Sequence, residues 1–222
     1  MKATTLVGLI GLHLLAGGCA SSCDPGAGPG ASASPSASPA DPPVPSVDVP
    51  HLREGETLTI DGDCGEDPWG RAATTPDFVN VGTGGKASEI LRGRAKLLWD
   101  DAFLYVAIDV NDTNLVGGFP ADAVDPHLWE RDTVEVMIDP DGDGDGKDYY
   151  EIQVSPQNLV FDSRFDDYNL PRGGAQGPFG HEDWASKLVS AVRLSGSMDD
   201  DGDVDDGYRV EMKIPWGSFE KA

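Results

Sequence analysis

The 222-residue chain carries 39 Asp and Glu against 16 Lys and Arg, a formal net charge of −23. Such a charge excludes nucleic acid and anionic membrane surfaces as partners held by charge, and it suits an exported protein. It also favours calcium among the ions the chain can hold, although simple solvation is the plainer account of most of the scattered Asp residues.

Taken from the N-terminus, Lys2 precedes an apolar run, Leu6 to Leu15, closed by Ala16, Gly17 and Gly18 before Cys19. A positive start, a short apolar core and a small-residue cleavage site predict a secretory signal over residues 1–18, too short to span a membrane. Cys19 directly after small residues resembles a bacterial lipoprotein signal, in which that Cys is lipidated, although Leu15 lies one place further from it than usual. Plain cleavage and secretion is the alternative to a lipoprotein at the outer membrane or cell surface. Residues 19–49 are mostly Ser, Ala, Pro and Gly with little to bury, which predicts a disordered tether that holds one folded domain, residues 50–222, away from its anchor. Cys23 and Cys64 could pair in an oxidising compartment, though Cys23 falls in the tether.

The domain reads as strands throughout. Thr57 to Asp61 predicts a short strand, followed by an acidic turn with Asp61, Asp63, Glu66 and Asp67 and by Trp69, expected to plug a small β core. Ala95 to Asp100 and Phe103 to Val110 predict a hairpin with Leu104, Val106, Ile108 and Val110 on one face. Trp129 to Arg164 predicts three strands joined by turns: in the first Val134, Val136 and Ile138 alternate with Thr133, Glu135 and Met137, and in the second Tyr150, Ile152 and Val154 alternate with Glu151, Gln153 and Ser155. Trp184 to Arg193 and Tyr208 to Ile214 complete the set. No amphipathic helical stretch of useful length appears, so the predicted fold is all-β, an antiparallel sandwich of two sheets.

Two constellations carry chemistry. On the face opposite the predicted core, Glu135, Gln153 and Ser155 stand beside Trp129. Sugar rings present C–H patches that pack on an indole, and their hydroxyls need planar donors and acceptors held nearby. A buried sandwich tryptophan and an exposed strand carboxylate are the competing readings for Trp129 and Glu135. Asp141, Asp143 and Asp145 with Gly146 spell the start of a calcium loop. Ile152 stands where an EF-hand needs a Glu and strands flank the turn, so a looser site completed by Asp139 or Asp148 competes with a plain Asp/Gly hairpin turn.

The segments Ile60–Trp69, Leu98–Val106, Trp129–Asp139, Tyr149–Pro156 and Gly207–Trp216, in this order, resemble family 9 carbohydrate-binding modules. The resemblance implies a DOMON-like β-sandwich without catalytic function, often fused to xylanases or other glycoside hydrolases, that binds glucan or xylan and holds structural calcium. By position it makes Trp129 one of two sandwiching tryptophans and Glu135 an acceptor for sugar hydroxyls. Gln153 and Ser155 stand where the family has an Arg and an Asn. The second tryptophan would lie past Ala222, so either the chain is a fragment truncated at its C-terminus or another group, Trp184 or Tyr168, closes the site. No Ser-His-Asp pattern, Cys/His cluster or phosphate loop points to an enzyme. Two alternatives compete: a haem-binding DOMON-like electron-transfer subunit using His127 with Met137 or Met212, and a calcium-stabilised surface interaction domain.

Overall fold

A computed structural model describes residues 46–80, 83–88, 91–171 and 174–219. The predicted signal, Cys19, Cys23 and nearly all of the predicted tether lie outside the described residues. Eight strands run in chain order: β1 (Ala73–Thr74), β2 (Leu91–Trp99), β3 (Phe103–Asp112), β4 (Val134–Ile138), β5 (Lys147–Val154), β6 (Val160–Asp167), β7 (Val189–Ser195) and β8 (Gly207–Pro215). Helical structure among the described residues amounts to three short 3-10 turns. The strands form two antiparallel sheets, one ordered β1-β2-β3-β8-β7 and one ordered β4-β5-β6. This is the predicted sandwich.

Alternation drives the arrangement. Leu104, Val106, Ile108 and Val110 of β3 and Tyr208, Val210, Met212 and Ile214 of β8 point one way, and Val134, Val136, Ile138, Tyr150, Ile152 and Val154 meet them from the smaller sheet. Each fully buried side chain of this kind contributes roughly 1.5–3 kcal/mol relative to exposure. The β2–β3 hairpin turns where the sequence places it. Asp100 Oδ1 accepts the backbone N–H groups of Ala102 at 2.8 Å and Phe103 at 2.7 Å. At the start of β8, Gly207 has φ +127°, and a Cβ there would collide with the Val110 carbonyl, so only glycine lets β8 close against β3.

A second, smaller core covers the outer face of the larger sheet. Leu52, Trp69, Leu98, Tyr105 and Ala107 form it, with Leu58, Ile60 and Cys64 at its margin. Trp69 plugs it as expected. Among the described residues Cys64 has no disulfide partner, and burial pushes its thiol up to about 12. Glu211 of β8 lies at its centre, 0% exposed. Its Oε1 accepts Trp69 Nε1–H at 3.0 Å, and its Oε2 accepts the N–H groups of Asp61 at 3.0 Å and Gly62 at 2.8 Å.

Those bonds explain a difference from the sequence reading. Thr57 to Asp61 is not a strand, because its N–H groups go to side chains: Thr59 N–H to Glu66 Oε1 at 2.7 Å and Asp61 N–H to Glu211. No neighbouring strand is left a ladder to share. The chain is held on the sheet at residue 49, where the Val49 carbonyl accepts Trp99 Nε1–H at 2.9 Å. A second difference lies in Trp184 to Arg193, where the strand starts only at Val189. Lys187 adopts φ +55°, and Ser186 is drawn off by Asp162 Oδ2, which accepts its N–H at 2.9 Å and its hydroxyl at 2.5 Å.

Glu211→Gln keeps the volume but turns one acceptor oxygen into a donor facing other donors, and is expected to cost about 2–3 kcal/mol in denaturant unfolding. An unchanged midpoint would show that the clamp is dispensable.

Candidate functional site

The register of the small sheet fixes what its outward face displays. Tyr150, Ile152 and Val154 enter the core, so Tyr149, Glu151 and Gln153 point outward. Pairing places Glu135 of β4, Gln153 of β5 and Phe161 of β6 in one cross-strand row. Gln153 Nε2–H donates to Glu135 Oε1 at 2.8 Å. Both residues are buried, Glu135 7% and Gln153 3% exposed, as is Phe161. Gln153 Oε1 has no hydrogen-bond partner among the described residues, and an orphaned buried acceptor costs about 1–3 kcal/mol.

Trp129 stands over the end of this row. It sits in the 3-10 turn Leu128–Glu130, which buried Leu128 anchors. The indole meets Phe161 edge-on, with centroids 5.0 Å apart at 84°. His127 stacks on it at 4.5 Å and 18°, and Phe179 leans against it at 5.2 Å and 39°. The structure thus links Trp129 to Glu135 and Gln153 through Phe161. Phe179 arrives on a segment bound along β6: Ser163 Oγ–H donates to the Phe179 carbonyl at 2.8 Å, and His181 N–H donates to the Arg164 carbonyl at 2.8 Å. Gly180, with φ +80°, allows the approach, since a Cβ would lie 2.7 Å from the Arg164 carbonyl and against Ser163 Oγ.

The fourth expected site residue is placed differently. Ser155 lies just past β5, fully buried, and serves the β5–β6 turn: its Oγ accepts Leu159 N–H at 3.3 Å and its carbonyl accepts Asn158 N–H at 2.9 Å. Neither suggested closing residue stands at Trp129. Trp184 packs in the main core against Tyr150 and Phe219. Tyr168, 73% exposed, follows the far end of β6, where its N–H donates to the Gly146 carbonyl. The rings found there are His127, Phe161 and Phe179. Extending the alternation through β6 identifies Phe161 from sequence, whereas Phe179 lies in an unpatterned stretch that only the fold brings back. For the haem alternative, Met212 is inside the sandwich core, on the opposite side of the small sheet from the His127 ring.

Among the acidic turn residues, Asp139, Asp141 and Asp143 bring one carboxylate oxygen each within 4.8 Å of one another. Asp139 also accepts the N–H groups of Gly142 at 3.0 Å and Gly144 at 2.9 Å. Asp145 is tied to Lys147 Nζ at 2.9 Å, and Asp148 follows Lys147 at the start of β5 with φ +46°. The Asp143 N–H, the strongest single influence on the Asp141 carboxyl, lowers it, but hydrogen bonding and repulsion from Asp139 and Asp143 carry it above the usual range.

A different aspartate anchors the Trp129 turn. Asp132 Oδ2 accepts Val116 N–H at 2.7 Å. Burial pushes its carboxyl up to about 6, against the lowering pull of the Val116 N–H and with help from the Asp112 and Asp199 charges. A folded-state carboxyl above the unfolded value of about 3.9 binds its proton more tightly when folded, so stability falls as pH rises through the interval between them. Asp132→Asn keeps an acceptor for Val116 and removes that loss. Its advantage in thermal unfolding is expected to be small at pH 4 and to widen up to pH 7. A constant difference across that range would contradict the assignment.

The chain matches the family profile described as "Carbohydrate family 9 binding domain-like" over residues 60–222. It is 30% identical over 163 residues to Exoglucanase XynX of Acetivibrio thermocellus, covering 73% of this chain and 12% of that one. To Endo-1,4-beta-xylanase A of Thermoanaerobacterium saccharolyticum it is 31% identical over 124 residues, 56% of this chain and 8% of that one. The chain therefore spans only a small part of both relatives. Among solved structures, a Bacteroides uniformis protein described as a candidate carbohydrate-binding protein superposes with a TM-score of 0.51 at 16% identity, covering 78% of this chain and 75% of that one. A family 9 module from Caldicellulosiruptor kristjanssonii in complex with cellotriose gives 0.43 at 20% identity, over 75% and 65% of the two chains.

Proposed function

Since the chain belongs to the family 9 carbohydrate-binding domains, which are non-catalytic modules, we propose that it binds neutral polysaccharide or oligosaccharide of the glucan or xylan type through the outward face of the small sheet. The observation that carries this reading is the Glu135–Gln153 pair beneath Trp129, with Gln153 Oε1 buried and unpartnered. A sugar hydroxyl supplies the donor that this acceptor lacks, and the indole supplies an apolar surface for a ring's C–H patch. Neutral sugars bring no charge attraction, so affinity is modest and depends on the water excluded. Ser155 contributes by holding the turn beside Gln153. The two curated relatives are named as an exoglucanase and a xylanase, which supports a role in carbohydrate catabolism next to a glycoside hydrolase.

Calorimetric titration with cello- and xylo-oligosaccharides is expected to give binding that Trp129→Ala abolishes and Gln153→Ala weakens about 5- to 100-fold, the worth of one buried hydrogen-bonding group. Undiminished binding in Trp129→Ala would refute the site.

Calcium belongs to the proposal as a structural ion. Asp139, Asp141 and Asp143 offer the clustered hard oxygens it needs, and the ion would neutralise the repulsion within the β4–β5 turn. Asp145 and Asp148 are the reserve ligands, Asp145 at the cost of its Lys147 partner. At 100-fold excess over Kd, calcium is expected to stabilise the wild-type protein by about 2.7 kcal/mol. An equal gain in a protein carrying Asp141→Asn and Asp143→Asn would place any bound ion elsewhere.

Export, lipidation of Cys19 and the tether over residues 19–49 complete the proposal: a surface-anchored module that searches the space around its attachment point. The sequence pattern at Leu6–Cys19 supports it. Loss of membrane association in Cys19→Ala is its test.

A further inference from the structure

We propose that His127 sets the affinity of this site: in the free protein its imidazole occupies the face of Trp129 that a sugar ring takes, so that binding is a displacement. The inference rests on the reading of Trp129 as the sugar platform and adds the group that competes for it.

The geometry begins in the turn itself. His127 precedes the 3-10 helix Leu128–Glu130, and Glu130 N–H donates to the His127 carbonyl at 3.1 Å. Leu128 points into the protein and is fully buried. The two residues flanking it bring their rings together on the opposite side, 4.5 Å apart and 18° from parallel. That parallel contact is the one a pyranose makes with an indole, and one face cannot hold both.

Three rings touch the indole, and they are not equally held. Phe161 belongs to β6, is fully buried and meets the indole edge-on. Phe179 is fixed through its carbonyl by Ser163 Oγ–H, with Gly180 seated against β6. His127 alone stacks in parallel. Among the described residues its imidazole makes no hydrogen bond, so ring contacts with Trp129 and Phe179, the latter at 4.4 Å and 54°, are what keep it in place. It is the ring that yields most easily, and once displaced both its nitrogens can hydrogen-bond to water. Phe161 and Phe179 stay as the fixed frame of the opened site.

Displacing an aromatic partner lowers the apparent affinity by the worth of that stack, about 2- to 10-fold. With cellotriose titrated calorimetrically into the full chain, His127→Ala is expected to bind tighter than wild type by that factor. Trp129→Ala and the His127→Ala/Trp129→Ala pair are expected not to bind. Equal or weaker binding by His127→Ala overturns the displacement while leaving the sugar site standing. Absence of binding in all four proteins removes the sugar reading and the displacement with it. A second measurement needs no variant. The His127 ring protons lie over the indole, so they are expected to resonate upfield in the free protein. They are expected to move back downfield at saturating cellotriose, and resonances unmoved at saturation overturn the proposal.

Discussion

The register of β5 between β4 and β6 is the constraint on which both halves of the domain depend. Ile152 pairs with Val136 and points into the sandwich, while Gln153 pairs with Glu135 and Phe161 and points away from it. A slip of one residue would exchange those faces, placing an amide and a carboxylate in the core and aliphatic side chains at the site. The hydrophobic contact between the sheets therefore does more than stabilise the fold. It holds the outward row in one arrangement, and that row is the floor on which Trp129 stands.

Two of the buried carboxylates, Glu211 and Glu135, have contrasting surroundings. Glu211 sits in the minor core with three N–H donors aimed at it, which turns a costly buried charge into a fastening for the chain around Asp61–Trp69. Glu135 lies on the other sheet beside an amide whose oxygen is left without a donor. A satisfied network closes a structure, and an incomplete one leaves a position for something else to fill. Aromatic rings from two separate segments, 127–129 and 179, gather above the incomplete one.

Much of this is legible in the amino-acid order, because period-two alternation is a local signal. It identifies β3, β4 and β8 to within two residues, starts β2 at Ala95 instead of Leu91 and β5 at Tyr150 instead of Lys147, and places Glu135 and Gln153 on one outward face. It fails where side chains outside the strand take the backbone N–H groups. Thr57–Asp61 has the apolar pattern of a strand, yet Glu66 and Glu211 claim its donors. Ser155 alternates with Gln153 in sequence, but the turn to Leu159 draws its hydroxyl away. Phe179 carries no periodic signal, since only the pairing of His181 with Arg164 brings its segment back over β6. His127 is visible as a histidine, but its place over the indole follows from the geometry of a single 3-10 turn.

The central claim is that the outward row of the small sheet, capped by Trp129, is the carbohydrate-binding surface. The most direct measurement is a map of amide and side-chain NMR shifts while cellotriose is added to the isotope-labelled protein. The largest changes are expected at the Gln153 side-chain amide and the Trp129 indole N–H, with the outer face of the five-stranded sheet around Arg94 and Arg193 unmoved. Changes centred on that other face, with Gln153 and Trp129 silent at saturation, would contradict it.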